Sequence, residues 1–195
     1  EALVDPMCGS GTFLIEAAQI ALDVAPGLGR RFAFERLRLF DRAVWAKLRT
    51  QAEKRRKPVV ELPIHGSDIV GDQLRRARVN LEAAGLAECV QLQRSDFLDL
   101  TAPAGEGVLV TNPPYGVRIG EAEALAEAYP GWGDALKRNW AGWRCYLLTA
   151  DTMLPKRIGL KASRRTPLFN GALECRLYEF RMFAGSMRKP AGESD

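Results

Sequence analysis

The sequence is poor in the residues that build metal sites and acid–base sites. One histidine, His65, occurs among 195 residues, and we interpret it as structural. The four cysteines are too far apart to form a C-x-x-C pair, whereas zinc sites use closely spaced ligands. We therefore expect no metal and four free, mostly buried thiols, with two disulfides as the alternative. The cysteines are Cys8, Cys89, Cys145 and Cys175.

Long apolar runs are also missing. No stretch approaches the roughly 20 apolar residues of a membrane span, and the first residues lack the basic and apolar regions of a signal peptide. A composition of 47% hydrophobic and 27% charged residues excludes disordered and collagen-like chains. We expect one globular, cytoplasmic domain. Because its first strand starts at the first residue, we also expect this domain to be part of a longer protein.

Charge is distributed unevenly along the chain. The net charge is only +4, but residues 25–62 carry eleven basic and four acidic residues, a net +7 that leaves −3 for the rest. One interpretation of this basic helical insertion is a solvated amphipathic helix that buries its apolar side chains. The other is a surface for nucleic-acid phosphates, because clustered Arg and Lys release counterions. The candidate buried positions are Phe34, Leu37, Trp45 and Leu48.

Short apolar runs alternate with helical patterns. The runs predict strands at 2–5, 59–68, 90–93, 108–111 and 145–149, then one before Pro167 and one over 174–183, joined by the turn Phe169-Asn170-Gly171. Helical periodicity runs from Thr12 to near Pro26, from about Gly71 to Gly85, and from Glu121 to Trp140 with an interruption at Pro130. This alternation predicts an α/β fold with a doubly wound, mostly parallel sheet and one antiparallel strand in its edge region.

Polar or glycine-rich groups follow each of the first four strands, where open α/β sheets bind ligands. The first is a turn in which Gly9 and Gly11 let the backbone approach a ligand closely. It is followed by no Gly-Lys-Ser/Thr, and Leu14 replaces the third glycine of the dinucleotide fingerprint. An ordinary tight turn is the alternative. The residues of this turn are Asp5, Pro6, Cys8, Gly9, Ser10, Gly11 and Thr12.

Two acids end the second and third strands. Asp68 is placed to accept hydrogen bonds from both ribose hydroxyls of a nucleotide. Asp96 is placed to accept from an adenine amino group, with Phe97 or Ile69 against the ring. Helix capping is the alternative role for both acids. Together these positions predict a pocket for an adenosine without a phosphate anchor.

The fourth strand ends in Asn112, Pro113, Pro114 and Tyr115. Two prolines stiffen the backbone and remove two donors, which leaves carbonyl oxygens to accept. The Asn112 side-chain oxygen and the Pro113 carbonyl could hold the hydrogens of an exocyclic base amine, so that its lone pair attacks a methyl group. Tyr115 would stack on the extruded base. No metal is needed for this chemistry.

These motifs resemble the class I S-adenosylmethionine-dependent methyltransferases that act on amino groups. The residues that carry the resemblance are Asp-Pro-Met-Cys-Gly-Ser-Gly-Thr at 5–12 and Asn-Pro-Pro-Tyr-Gly at 112–116. Phe-Leu-Ile-Glu-Ala-Ala at 13–18 and Leu-Phe-Asn-Gly-Ala-Leu-Glu-Cys at 168–175 are similar to ribosomal RNA guanine-N2 methyltransferases that carry a THUMP domain.

The resemblance implies a seven-stranded sheet with the final strand inserted antiparallel. It also implies a catalytic domain over 1–185, a flexible tail over 186–195, and methyl transfer to N2 of a guanine in 23S or another ribosomal RNA. RNA would bind through a THUMP domain before this chain and through the basic segment 30–57. Adenine-N6 or glutamine methyltransferases share Asn-Pro-Pro-Tyr. A non-catalytic nucleotide-binding scaffold is the remaining alternative, since the fold alone does not require catalysis.

Overall fold

Seven strands form one mixed sheet in a computed structural model that describes residues 1–114 and 121–184. The strand order is β3-β2-β1-β4-β5-β7-β6, with every pair parallel except β5–β7 and β6–β7. The strands are β1 (Ala2–Asp5), β2 (Ile64–Asp68), β3 (Gln91–Arg94), β4 (Gly107–Thr111), β5 (Trp143–Thr149), β6 (Arg164–Asn170) and β7 (Leu173–Arg181). The last strand is thus inserted antiparallel, and the predicted doubly wound fold is confirmed.

Helices cover both faces of the sheet. They are α1 (Thr12–Ala21), α2 (Arg42–Arg55), α3 (Gly71–Ala83), α4 (Glu121–Asn139) and α5 (Leu154–Arg157). On one face, α1 buries Leu14, and α3 buries Ala77 and Leu81, which are one helical turn apart. On the other face, α4 buries Leu136, and Trp140, just after the end of α4, is buried in the same core. Each buried Leu contributes roughly 1.5–3 kcal/mol to folding, so the amphipathic pattern fixes both layers.

The switch in strand order lies between β1 and β4. From β1 the chain builds outward to β2 and β3, and it then returns to add β4 and β5 on the other side. Ligands of open α/β sheets bind at such a switch, outside the carboxyl ends of the strands. The fold therefore places the predicted turn after β1 and the Asn-Pro-Pro sequence after β4 at one edge.

Two sequence-based boundaries are wrong. The second strand begins at Ile64 rather than at Val59, because Pro63 has no N–H to donate to the ladder. Val59 and Val60 are exposed instead. The first helix ends at Ala21 rather than near Pro26. The Leu22 N–H still donates to Ala18 O, but the Asp23 N–H donates to Ile20 O at 3.2 Å, and the positive φ of Asp23, +51°, turns the chain out of the helix.

The predicted interruption of the 121–140 helix is also wrong. α4 continues through Pro130, although a proline removes a helical hydrogen bond and usually kinks or breaks the helix. Tyr129 and Trp132 on either side of Pro130 are buried in the core. Burial of these two large side chains holds the helix together across the proline.

The basic insertion does not bury the four positions expected from its pattern. Phe34, Leu37 and Leu48 are exposed, and Trp45 is half-buried. None of the fourteen residues of α2, all of which the structure describes, is buried. Phe34 and Trp45 instead pack edge to face, with ring centroids 5.1 Å apart, within a small aromatic cluster. This cluster lies within the insertion itself and is separate from the two cores.

The four cysteines are buried free thiols, as the sequence predicted. Burial raises the pKa of Cys8 and of Cys145 to about 12. The predicted tail, 186–195, lies outside the described residues. Within the described part of the chain, no helix is both long enough and apolar enough to cross a membrane.

Candidate active site

The turn after β1 needs its two glycines for different reasons. Both have positive φ angles, +53° at Gly9 and +85° at Gly11, which side-chain-bearing residues rarely adopt. A Cβ on Gly11 would lie 3.2 Å from the Cβ of Ala77 on α3. A Cβ on Gly9 would meet no atom within 4 Å. Gly11 thus permits close packing, whereas Gly9 leaves open space at the edge of the sheet.

Hydrogen bonds to β2 fix the position of this turn. The Cys8 N–H donates to the Ser67 carbonyl at 2.9 Å, and the Ser67 hydroxyl donates to the Pro6 carbonyl at 3.3 Å. The Gly9 N–H donates to Asp68 Oδ2 at 3.0 Å. The ends of the first two strands therefore form one rigid unit, although they are about 60 residues apart in the sequence.

Asp68 fixes the turn before a helix and faces a cavity. Its Oδ1 accepts from the N–H of Val70, the N-cap of α3, at 2.8 Å, while its Oδ2 accepts from Gly9. These two bonds hold the carboxylate in one orientation. Each carboxylate oxygen has two lone pairs, so the group can still accept from a ligand. The capping alternative is not observed for Asp68, because α3 has Val70 as its N-cap and no side-chain cap hydrogen bond.

Asp96 lies at the end of β3 in a similar arrangement. Its Oδ1 accepts from the Leu98 N–H at 2.9 Å and caps the short 3-10 helix Phe97–Asp99. Phe97 is only 5% exposed and packs edge to face against Trp132, with centroids 6.0 Å apart. Ile69, at 57% exposure, is more accessible to a bound ring.

One cavity joins these groups to the end of β4. It has a volume of about 460 Å³, which is sufficient for a nucleoside-sized ligand. Predicted site residues along its wall are Pro6, Gly9, Asp68, Ile69, Asp96, Phe97, Asn112 and Pro114. The ends of all four strands, which the sequence singled out separately, thus share a single cavity.

The other predicted site residues that the structure describes do not line the cavity. Gly11 packs on α3, and the Ser10 carbonyl accepts from the Asn80 side chain at 2.9 Å, on the far side of the turn. Pro113 is buried next to Asn112. Tyr115 lies outside the described residues. Asp5, Cys8 and Thr12 complete the turn without lining the cavity.

Asp5 is a buried carboxyl behind the cavity. It is 2% exposed, and its Oδ1 accepts from the Met7 N–H at 3.2 Å. Burial raises the pKa of Asp5 from 3.8 to about 7, and the negative charge of Asp68 adds to this effect. The hydrogen bond from the Met7 N–H lowers the pKa and opposes the shift. Asp5 is therefore a buried acid at the end of β1 that favours its protonated form.

Several wall residues were not predicted from the sequence. They are Met7, Val70, Gln73, Ser95 and Trp132. Gln73 follows Asp68 by five residues, so a helix starting at Gly71 could have suggested it. Trp132 comes from α4, which follows the Asn-Pro-Pro sequence in the chain, and it packs against Phe97 in the cavity wall. No spacing rule in the sequence connects these two aromatic residues.

The polar groups in the cavity wall include several hydrogen-bond acceptors. Carboxylate oxygens of Asp68 and Asp96 and the amide group of Asn112 line it. In residues 1–114 and 121–184 no group of three or more His, Cys, Asp or Glu side chains is arranged to hold a metal ion. The arrangement is suited to binding hydroxyl and amino groups of a nucleoside.

Comparisons with known proteins place this geometry in a family. Residues 1–179 match the model of UPF0020, the RMKL-like methyltransferase domain. The chain belongs to this family. It is 42% identical over 191 residues to the ribosomal RNA large subunit methyltransferase K/L of Shewanella baltica. That match covers 96% of the chain but 27% of the relative, so the chain spans about a quarter of the length of such relatives.

Solved structures agree with the family assignment. A methyltransferase, SMU.472, solved in complex with SAH superposes with a TM-score of 0.86 at 36% identity, over 93% of this chain and 48% of the other. A predicted N6-adenine-specific DNA methylase from Listeria monocytogenes gives 0.81 at 33% identity, over 93% and 47%. The predicted methyltransferase family, its α/β fold and S-adenosylmethionine as its cofactor are thereby confirmed.

Proposed function

We propose that this domain transfers a methyl group from S-adenosylmethionine to the N2 amino group of a guanine in large-subunit ribosomal RNA. One observation carries the proposal. The cavity of about 460 Å³ has Gly9, Asp68 and Asp96 on one part of its wall and Asn112 with Pro114 on another. A nucleoside-binding surface therefore lies next to a group that can position an amine.

The cofactor fits the part of the cavity lined by the first three strand ends. Asp68 accepts from the ribose hydroxyls, Asp96 accepts from the adenine amino group, and Ile69 covers the ring. The open space at Gly9 accommodates the methionine portion, where any side chain would intrude. When bound, the sulfonium supplies an electrophilic methyl group.

Asn112 and Pro113 prepare the amine. An exocyclic amine is a weak nucleophile, because its lone pair is delocalised into the base. Hydrogen bonds from its two hydrogens to the Asn112 side-chain oxygen and the Pro113 carbonyl draw the nitrogen towards a tetrahedral geometry. This localises the lone pair without a strong base. Tyr115, outside the described residues, is proposed to stack on the base.

The basic insertion is proposed to bind the RNA backbone. Of its cations, Arg55 pairs with Asp23 at 3.7 Å, and this pair is exposed. Lys47 and Lys54 on α2 have no acidic partner in the described part of the chain, which leaves them available for phosphates. Ribosomal RNA as the substrate implies a cytoplasmic enzyme. A further RNA-binding domain in the longer protein stays part of this proposal.

Adenine N6 is the second candidate acceptor. The related Listeria structure is described as an N6-adenine-specific DNA methylase. Asn112 and Pro113 offer acceptors to any exocyclic amine, so their geometry suits both bases. Guanine is supported by the similarity of residues 13–18 and 168–175 to guanine-N2 enzymes, whereas the K/L relatives support only ribosomal RNA as the substrate.

The test is transfer of labelled methyl groups to transcribed large-subunit ribosomal RNA, followed by digestion to nucleosides. We expect N2-methylguanosine. A matched transcript with inosine in place of guanosine lacks the N2 amine and should accept no label. Label in N6-methyladenosine would overturn the guanine assignment. S-adenosylmethionine binding without transfer to either transcript would support a scaffold instead.

A further inference from the structure

The β6–β7 hairpin reaches beyond the rest of the sheet at the active-site edge. Pairing between β5 and β7 ends at Thr149 and Arg176, whereas β6 and β7 stay paired up to Asn170 and Leu173. Residues 173–175 therefore extend past β5 together with their partners on β6. At about 3.4 Å per residue, the tip projects by roughly 10 Å.

This tip extends past the point where Asn112 leaves the sheet. Thr111, the last residue of β4, is level with Leu147 on β5, and Leu147 is level with Tyr178 on β7. Phe169 on β6 is three inter-strand spacings from β4, about 14 Å, and four residues beyond this level, about 14 Å along the strands. Phe169 is thus about 20 Å from the end of β4, within reach of RNA a few nucleotides away from a base held at Asn112.

The tip is apolar and exposed. Phe169 has 74% of its surface exposed, and its neighbours Leu168 and Leu173 are exposed as well. Side chains alternate along a strand and paired residues share a face. Phe169 is paired with Glu174, so it lies on the same face as Arg165 and Tyr178, which pair four residues further from the tip.

Two arginines share the face of Phe169. Arg176 is the nearer one, and it pairs with Glu174, the residue opposite Phe169, at 3.3 Å. Arg165 is four residues from Phe169 along β6, lies over the ring of Tyr178 at 5.9 Å, and forms no ion pair with an acid within residues 1–114 and 121–184. An exposed aromatic ring with an unpaired arginine on the same face is suited to single-stranded nucleic acid, because a base stacks on the ring while the cation binds a phosphate.

We propose that the hairpin tip holds an unpaired nucleotide a few nucleotides from the target base, with Phe169 as the stacking platform. The inference rests on the proposed RNA substrate and adds a positioning residue outside the cavity. A protein partner or a second copy is less well supported, because three exposed apolar side chains fall far short of a stable interface, and the unpaired Arg165 on the same face favours a polyanion.

The first experiment compares Phe169→Ala, Phe169→Tyr and Ile20→Ala in labelled methyl transfer to transcribed large-subunit ribosomal RNA. Ile20 on α1 is 78% exposed and serves as the matched loss of an exposed apolar side chain. We expect Phe169→Ala to raise KM for RNA about ten-fold, in line with the loss of one stacked base. Phe169→Tyr should restore it, while Ile20→Ala and S-adenosylmethionine affinity should be unchanged.

A second experiment tests the position directly. With p-azidophenylalanine at position 169, photo-cross-links to the same RNA should map within a few nucleotides of the methylated base. Distant cross-links, or equal KM values for Phe169→Ala and Ile20→Ala, would overturn the inference. So would a dimer that Phe169→Ala dissociates. A wild-type domain that methylates no RNA would instead contradict the proposed function.

Discussion

The carboxyl edge of the sheet and the basic insertion hold their charged groups in opposite ways. At the edge, Asp5 and Asp68 are buried and accept hydrogen bonds from backbone N–H groups. In the insertion, Arg42 and Lys47 lie on a helix without a buried residue. A buried acceptor without a hydrogen-bond partner costs free energy, so its position is fixed, whereas exposed cations each add to the affinity for a polyanion. The carboxyl edge is therefore suited to recognising individual ligand groups, and the insertion is suited to attracting a polyanion.

Asp41 and Asp68 illustrate this difference between the insertion and the carboxyl edge. Asp41 accepts from the Ala43 and Val44 N–H groups, at 2.8 and 3.0 Å, and both bonds belong to one exposed helix end. Asp68 also accepts from a nearby backbone N–H, that of Val70, but its second oxygen accepts from Gly9, 59 residues away. The same residue type therefore has a local role in the insertion and joins two strand ends at the cavity.

The largest effect is expected for Asn112→Ala. The substitution removes a side-chain acceptor for the target amine, while the residues proposed to hold the cofactor remain. We expect kcat for RNA methylation to fall about 10²–10³-fold, the scale seen when one polar group that stabilises a transition state is lost. Calorimetry should give a S-adenosylmethionine affinity within a few-fold of wild type. Near-normal turnover would contradict the amine-positioning role.

Asp5→Asn tests the cost of a buried carboxyl. A pKa of about 7 in the folded state, against 3.8 when exposed, means that the fold prefers the protonated form. Stability is therefore lost as pH rises from about 4 to 7, and the loss levels off above 7. Asn avoids this loss, and it should raise the free energy of unfolding at pH 8 by roughly 2–4 kcal/mol.

Urea unfolding of both proteins at pH 4, 6 and 8 provides the measurement. The difference between Asn and Asp should be smallest at pH 4 and grow towards pH 8. Cavity substitutions that act only through packing would give the same difference at every pH. A constant offset, or a difference of the opposite sign, would refute the buried-acid explanation.

Asp68→Ala and Asp41→Ala separate the two aspartate roles. Loss of the Asp68 carboxylate removes charge-assisted hydrogen bonds worth about 1.5–3 kcal/mol each. We therefore expect S-adenosylmethionine affinity to fall about 10–100-fold. Asp41→Ala should cost about 1 kcal/mol of stability through the lost helix cap and leave the affinity unchanged. Equal affinities for the two variants would rule out the ribose role of Asp68.

The fold could be predicted from the sequence where periodicity and turn chemistry agree. The stripe of Leu74, Ala77 and Leu81 gave α3, and Gly85, with φ of +66°, follows its end as expected. Predictions failed where tertiary packing overrides a local signal. Pro130 stays inside α4 because buried aromatic residues hold the helix on both sides, and a local rule contains no information about that burial.

The candidate site was also predictable only in part. Asp68, Asp96 and Asn112 each follow a strand, and parallel topology brings strand ends together, so their shared cavity was predictable. Trp132 was not, because its place in the wall depends on how α4 packs over Phe97. The aromatic residues of the insertion were misjudged for a related reason. Phe34 and Trp45 have the spacing of a core-facing helix but pack on each other.

The smallest expected effect concerns the insertion. Arg55 pairs with Asp23, and Lys57 Nζ donates to the Ala21 carbonyl at 3.1 Å, so both are partly engaged in the fold. Lys47→Ala with Lys54→Ala is the cleaner double substitution. Each lost phosphate contact reduces the slope of log K against log salt by about 0.7–0.9, so the double variant should lose roughly 1.4–1.8.

The matched control is Lys137→Ala with Arg138→Ala, at the end of α4. This end leads into the start of β5 and lies at the opposite edge of the sheet from the cavity. It removes the same charge from the chain, so a slope that depends only on net charge would change equally in both variants. A selective change in the Lys47 and Lys54 variant would locate RNA binding in the insertion, and equal slopes would remove that role from it.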